Sequence, residues 1–168
     1  MTNQYHATPY DISAVGFYFS TYEEYKEKAA NHLNENGDPV EEYEIQFIDG
    51  DNYQLFNALG VNQANLQQWF NDFEELDDDD ATKATYLAEY SGYTDMNDIL
   101  ENLDDVMLFE GTAMEYTEQY IEDTGMLNEI PENLRYYFDT EAFARDLVLG
   151  GDITVIELNN TEYVVWGV

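Results

Sequence analysis

The chain has 168 residues, and five Lys plus Arg stand against 37 Asp plus Glu, a formal charge of -32 at pH 7. Affinity for nucleic acid comes from neutralising phosphates with Lys and Arg, and an anionic membrane surface attracts the same residues, so this composition excludes both as partners. A hydrophobic content of 44%, with 15% aromatic residues, is too apolar for a disordered acidic tail, so the chain folds.

In chain order, an opening strand and loop span residues 1–14, and residues 14–19 are rich in strand formers. Ser20 with Glu23, or Thr21 with Glu24, supplies a capping box for a helix reaching Leu33. Asn36, Gly37, Asp38 and Pro39 make a turn, after which Tyr43, Ile45 and Phe47 alternate with Glu44 and Gln46 as in a half-buried strand. From about residue 52 to 103 the pattern is helical. Leu66, Trp69, Phe70, Phe73 and Leu76 form one apolar stripe, read as core packing, and Tyr86, Leu87 and Tyr90 suggest a second.

Residues 106–109 are a short apolar strand candidate, and residues 112–123 a helix with Ala113, Tyr116, Thr117 and Tyr120 on one face, flanked by Ile121. Gly125 is a natural left-handed stop, and Pro131 suits the first position of the next helix. Leu134, Tyr137 and Phe138 recur at helical spacing, and Thr140 can cap a further turn bearing Phe143 and Leu147. Gly150 and Gly151 break the chain before a hairpin around Asn159 and Asn160. The expected fold is α+β, elongated, with small α/β modules in a row and a mostly helical middle: residues 1–51, 52–104 and 105–168.

Catalytic and metal readings fare poorly. Asp123, Thr124 and Gly125 spell the aspartic-protease triplet, but a single copy at a helix end is a C-cap. Counting an EF-hand from Asp78 puts Lys83 where the turn glycine is required, so Asp77 to Asp80 read as a solvated loop capping the helix that begins near Ala81. His6 and His32 have no metal-ligand spacing, no cysteine offers a thiolate, and no Gly-rich phosphate loop occurs. Carboxylate pairs are too abundant for any one to signal acid-base work. The expectation is a non-enzyme without cofactor or metal. With no spanning apolar run and no signal-peptide pattern at its start, the chain is expected in the cytoplasm.

The run YIEDTGMLNEIPENLRYYFDTEAFARDL, residues 120–147, resembles the C-terminal part of the ArdA antirestriction family, a set of DNA mimics. Residues 127–140 are similar to its antirestriction motif, with Leu127, Asn128, Glu129, Ile130, Pro131, Leu134, Tyr137, Phe138 and Asp139 as the matching positions, and FARDL at 143–147 matches the family's ending. VGFYF at 15–19 and EEYEIQF at 41–47 resemble its first module more loosely, and the middle only in acidity and helicity. The resemblance implies a bacterial type I restriction-modification enzyme as partner, engaged through its DNA groove, and a homodimer joined through the motif. For the motif's apolar residues, ordinary intrachain core is the other reading.

The charge pattern itself carries the acidic surface expected to meet that partner: Glu23, Glu24 and Glu27; Glu74, Glu75, Asp77, Asp78, Asp79 and Asp80; and Glu115, Glu118 and Glu122. Like charges at i, i+3 and i+4 destabilise a helix slightly, so stability does not explain them. Duplex DNA has one charge per about 1.7 Å, so the net charge corresponds to roughly 54 Å of helix as an upper bound. The rival class is an acidic module or chaperone for a basic protein, or a halophilic protein. The many Tyr and Phe read as half-buried core in thin modules or as partner hot spots.

Overall fold

The computed structural model describes residues 2–168; Met1, included in the expected opening segment, lies outside them. The chain divides into two compact units, Met1–Ile99 and Leu100–Val168, with the division inside helix α5 (Met96–Asn102).

The first unit is built around β1 (Gln4–Pro9), the central strand of an antiparallel sheet of order β2-β1-β3, with β2 at Phe17–Phe19 and β3 at Tyr43–Asp49. Alternate β1 residues, Tyr5 and Ala7, are fully buried. Tyr5 lies opposite Phe19 on one neighbour and Phe47 on the other, with ring centroids 5.4 and 5.2 Å away, and Phe56 and Phe70 close on it at 5.8 and 5.2 Å. Each such ring pair contributes about 0.5–1.5 kcal/mol beyond burial.

Helix α1 (Tyr22–Ala30) begins at Thr21, whose hydroxyl accepts from Glu24 N, while Glu24 Oε2 accepts from Ser20 N at 2.9 Å. It ends three residues short of the expected Leu33, which instead bridges to Pro39. α2 (Tyr53–Ala58) follows, then α3 (Leu66–Gln68), which widens into a π turn at Trp69–Phe73 closed by Glu74 N donating to Trp69 O at 2.9 Å. The expected stripe is core: Leu66, Trp69 and Phe73 are fully buried, with Phe70 and Leu76 half-buried. In α4 (Asp78–Glu89) the buried face is Ala81, Thr82, Ala84, Thr85 and Leu87, and Tyr90 is exposed. Of the second expected stripe, Leu87 is fully buried, Tyr86 is half-buried and Tyr90 lies outside the core; small side chains, including two threonines, form most of the packed face.

The second unit has sheet order β4-β6-β5, with β4 at Met107–Glu110, β5 at Thr154–Leu158 and β6 at Thr161–Trp166. Consecutive burial of Tyr163, Val164 and Val165 means that β6 is covered on both faces. Asn159 and Asn160, at φ 49 and 64°, form the left-handed two-residue turn between β5 and β6. α6 (Ala113–Thr124) and α8 (Thr140–Leu149) belong to this unit, with α7 (Glu132–Arg135) between them in sequence. Tyr116 meets Trp166 of β6 at 4.8 Å, and Tyr120 meets Phe143 of α8 at 6.3 Å.

Candidate partner-binding surface

Cations set the sign of a surface patch, and the chain has five Lys and Arg. On α1, Lys26 pairs with Glu23 at 2.7 Å and Lys28 with Glu24 at 2.6 Å, leaving Glu27 exposed on the same helix. Lys83 of α4 reaches Asp80 at 3.7 Å. Each lysine sits beside a carboxylate one turn away in its own helix, so none makes a basic patch. α6 has no Lys or Arg, and turns Glu115, Glu118 and Glu122 to solvent.

Several predicted acidic residues are committed to the fold. Glu115 completes a capping box, accepting from Thr112 N at 2.8 Å while Thr112 Oγ1 accepts from Glu115 N at 3.1 Å; hydrogen bonding to its carboxylate from the Thr112 backbone, and next from the Thr112 side chain, holds that carboxyl below the usual range. Lys28 and Ser20 N do the same for Glu24. Asp77 caps α4, its Oδ1 accepting from Asp80 N at 2.9 Å, and Asp78, Asp79 and Asp80 fill the first turn, where carboxylates suit the helix dipole. The capping role expected of the acidic run falls to Asp77 alone, and the expected loop is corrected: Asp78, Asp79 and Asp80 are helical, so α4 starts three residues before Ala81.

Glu74 differs from the others. Its Oε1 accepts from Tyr5 Oη at 2.9 Å and Asn3 Nδ2 at 3.4 Å, while Trp69 Nε1 donates to Tyr5 Oη at 2.8 Å. Burial pushes the Glu74 carboxyl above the usual range, opposed by the Tyr5 and Asn3 hydrogen bonds and reinforced by neighbouring Glu75. This half-buried group ties β1 to the end of the π turn, and lines a polar cleft of about 430 Å³ with Asn52, Glu75 and Asp78. Asn52, left-handed at φ 66°, is buried in the cleft wall. Glu74 therefore belongs to the packing of the first unit more than to its surface.

The exposed acidic surface extends beyond the residues expected from the sequence to form it. Asp95, Asp98 and Glu101 are exposed at three-residue intervals at the start of and along α5, which also lacks cations. That spacing was the available signal. Glu41, Glu42 and Glu44 are exposed before and along β3, an edge strand, where charge discourages further pairing.

Among the described residues, no group of three or more His, Asp or Glu is arranged to hold a metal ion. No described helix is long and apolar enough to cross a membrane.

The antirestriction-like segment folds as a clasp. Gly125 ends α6 in the left-handed region at φ 61°, where its N–H donates to Ile121 O at 3.1 Å. Arg135 Nε donates to Ile130 O at 2.9 Å and its Nη2 to Asn128 O at 3.4 Å, closing residues 128–135 into a loop. Asp139 Oδ1 accepts from Ala142 N at 2.9 Å and caps α8, the place expected for Thr140. Pro131 immediately precedes α7, one position earlier than predicted. The expected helical stripe does not form, because α7 is a single turn: Phe138 turns inward to Phe143 at 5.7 Å, while Tyr137 and Tyr136 are 77% and 90% exposed.

The family model for the ArdA antirestriction protein matches residues 5–162. The chain belongs to the ArdA antirestriction family. Membership extends through the acidic helical middle, where no single motif carried it, and takes in both the Tyr5 strand and the Arg135 clasp. No curated protein matches this ArdA-family chain.

Proposed function

We propose that this chain is a non-enzymatic DNA mimic that acts in the bacterial cytoplasm, occupying the cationic DNA groove of a type I restriction-modification enzyme and excluding DNA by competition. It needs no cofactor. The type I target follows from the family resemblance. The observation that carries the mimic reading is the carboxylate face of α6, which has no cation, on a chain whose three lysines are each matched by a carboxylate in the same helix. Such a surface exchanges the counterions and water of a basic groove for fixed carboxylates and steers association over long range.

Competition between the chain and duplex DNA for a purified type I enzyme tests this. Inhibition is expected at moderate salt and to weaken as salt rises, because screening acts over roughly 10 Å at about 0.1 M. The melting temperature is expected to rise over the same range, as self-repulsion is screened. Inhibition that strengthens with salt contradicts mimicry; a requirement for molar salt to fold points to a halophilic protein.

We infer that two copies join through the motif. Leu134, Tyr136 and Tyr137 are exposed, which favours an interface over intrachain core. Sedimentation at micromolar concentration is expected to show a dimer that Tyr137→Ala weakens; a monomeric wild type rejects the inference.

A further inference from the structure

The loop between β1 and β2 holds apolar side chains out in water. Ile12 is 102% exposed, Val15 81% and Tyr10 66%, and Leu33, just after α1, is 55% exposed. The loop is pinned in that state. Asp11 Oδ1 accepts from Ser13 N at 2.9 Å and Ser13 Oγ at 2.6 Å, and Asp11 Oδ2 accepts from Asn34 Nδ2 at 2.9 Å. Glu35 N donates to Ser13 O at 3.0 Å and Tyr10 N to Glu42 O at 3.2 Å. These bonds tie the loop to the segment carrying Leu33. The Ser13 and Asn34 hydrogen bonds hold the Asp11 carboxyl below the usual range, so Asp11 stays ionised at neutral pH.

Single exposed apolar residues are ordinary, but a patch rimmed by polar groups marks an interaction site, and a pinned loop has already lost the freedom that binding would otherwise remove. The rim here is Asp11, Glu35, Asp38, Glu41 and Glu42, with no Lys or Arg in residues 10–15 or 33–42. A second copy would bring carboxylates against carboxylates, and an anionic membrane would repel the rim likewise.

We propose that the Tyr10–Val15 loop is a preorganised apolar anchor that seats in an apolar socket with a basic rim on the protein partner. This rests on the reading that the partner is a DNA-binding enzyme, and adds to it a contact that charge mimicry lacks. Attraction between carboxylates and a basic groove falls as salt rises, whereas burial of apolar area does not.

The experiment measures binding to a purified type I enzyme across a salt series for wild type, Ile12→Leu, and the double variant Ile12→Ser with Val15→Ser. The double variant is expected to bind about tenfold or more weakly with the salt slope unchanged, and Ile12→Leu to bind as wild type. Hydroxyl-radical footprinting of the wild-type complex is expected to show Tyr10 and Ile12 protected, which tests the anchor without any substitution. Unprotected residues, a double variant that binds as wild type, or a loss that appears only as a shallower salt slope overturns the anchor while leaving the mimic reading intact. A change in self-association in place of enzyme binding also overturns it, making a second copy the occupant. Failure of the wild type to bind the enzyme at all overturns the mimic reading, and the anchor with it.

Discussion

Neutralising Glu27, Glu101, Glu118 and Glu122 together, as Gln, is expected to weaken inhibition about a hundredfold or more, while no one of these changes alone weakens it tenfold. Exposed ion pairs contribute at most about 1 kcal/mol each, and tenfold in affinity needs about 1.4 kcal/mol, so single losses stay below that mark and only their sum is large. All of these residues are exposed, and they avoid Glu115, Glu24 and Glu74, whose carboxylates cap or pack the fold. Removing like charge relieves repulsion, so the variant should melt no lower than wild type, and the effect on inhibition can be separated from stability. Part of the loss is expected as slower association, because steering follows the summed field. Inhibition constants and association rates decide the matter. One substitution that abolishes inhibition by itself, with the combined variant elsewhere silent, shows a localised site and sinks the mimic reading.

Trp69→Ala is expected to cost about 3–5 kcal/mol, a large part of the roughly 5–15 kcal/mol that holds a domain folded. The indole is fully buried, packs edge-on against Phe56 at 5.3 Å, and donates to Tyr5 Oη. Its loss opens a cavity and removes a hydrogen bond from the ring at the centre of the first unit. Denaturant unfolding measures the cost; a loss under about 1 kcal/mol means that this core is not organised around Tyr5 and Trp69.

Glu74→Gln is expected to act in the opposite sense. A carboxyl whose folded pKa is raised contributes stability that is full below its unfolded value, near about 4.3, and is lost as pH rises through the folded value. Ionised Glu74 therefore weakens the folded state at pH 7. Gln keeps an oxygen for the Tyr5 hydroxyl without the desolvated charge. The variant should melt higher than wild type at pH 7, and the difference should vanish as pH falls below the ordinary glutamate range. A variant that melts lower at pH 7 shows that the charge itself is needed.

Some features were set by residues close in sequence. Thr112 and Glu115 form their capping box, Asp77 caps the acidic helix start, Gly125 ends α6, and Asn159 and Asn160 turn the last hairpin, because in each case the partners lie within a few residues of one another. The excess of carboxylate needs no fold at all. Tertiary structure decided the rest. Tyr5 lies in a short opening strand with little pattern of its own, and becomes the centre of the first unit only when strand pairing sets it against Phe19 and Phe47. Glu74 looked like one more surface acid until folding brought it to Tyr5 across 69 residues, where desolvation changed its character. The spacing of Leu134, Tyr137 and Phe138 suggests one helical face, but α7 is a single turn, so Phe138 meets Phe143 of α8 while Tyr137 stays in solvent. Periodicity reports the conformation a segment prefers alone; which side chains end up buried depends on distant groups that compete for the same backbone and the same space.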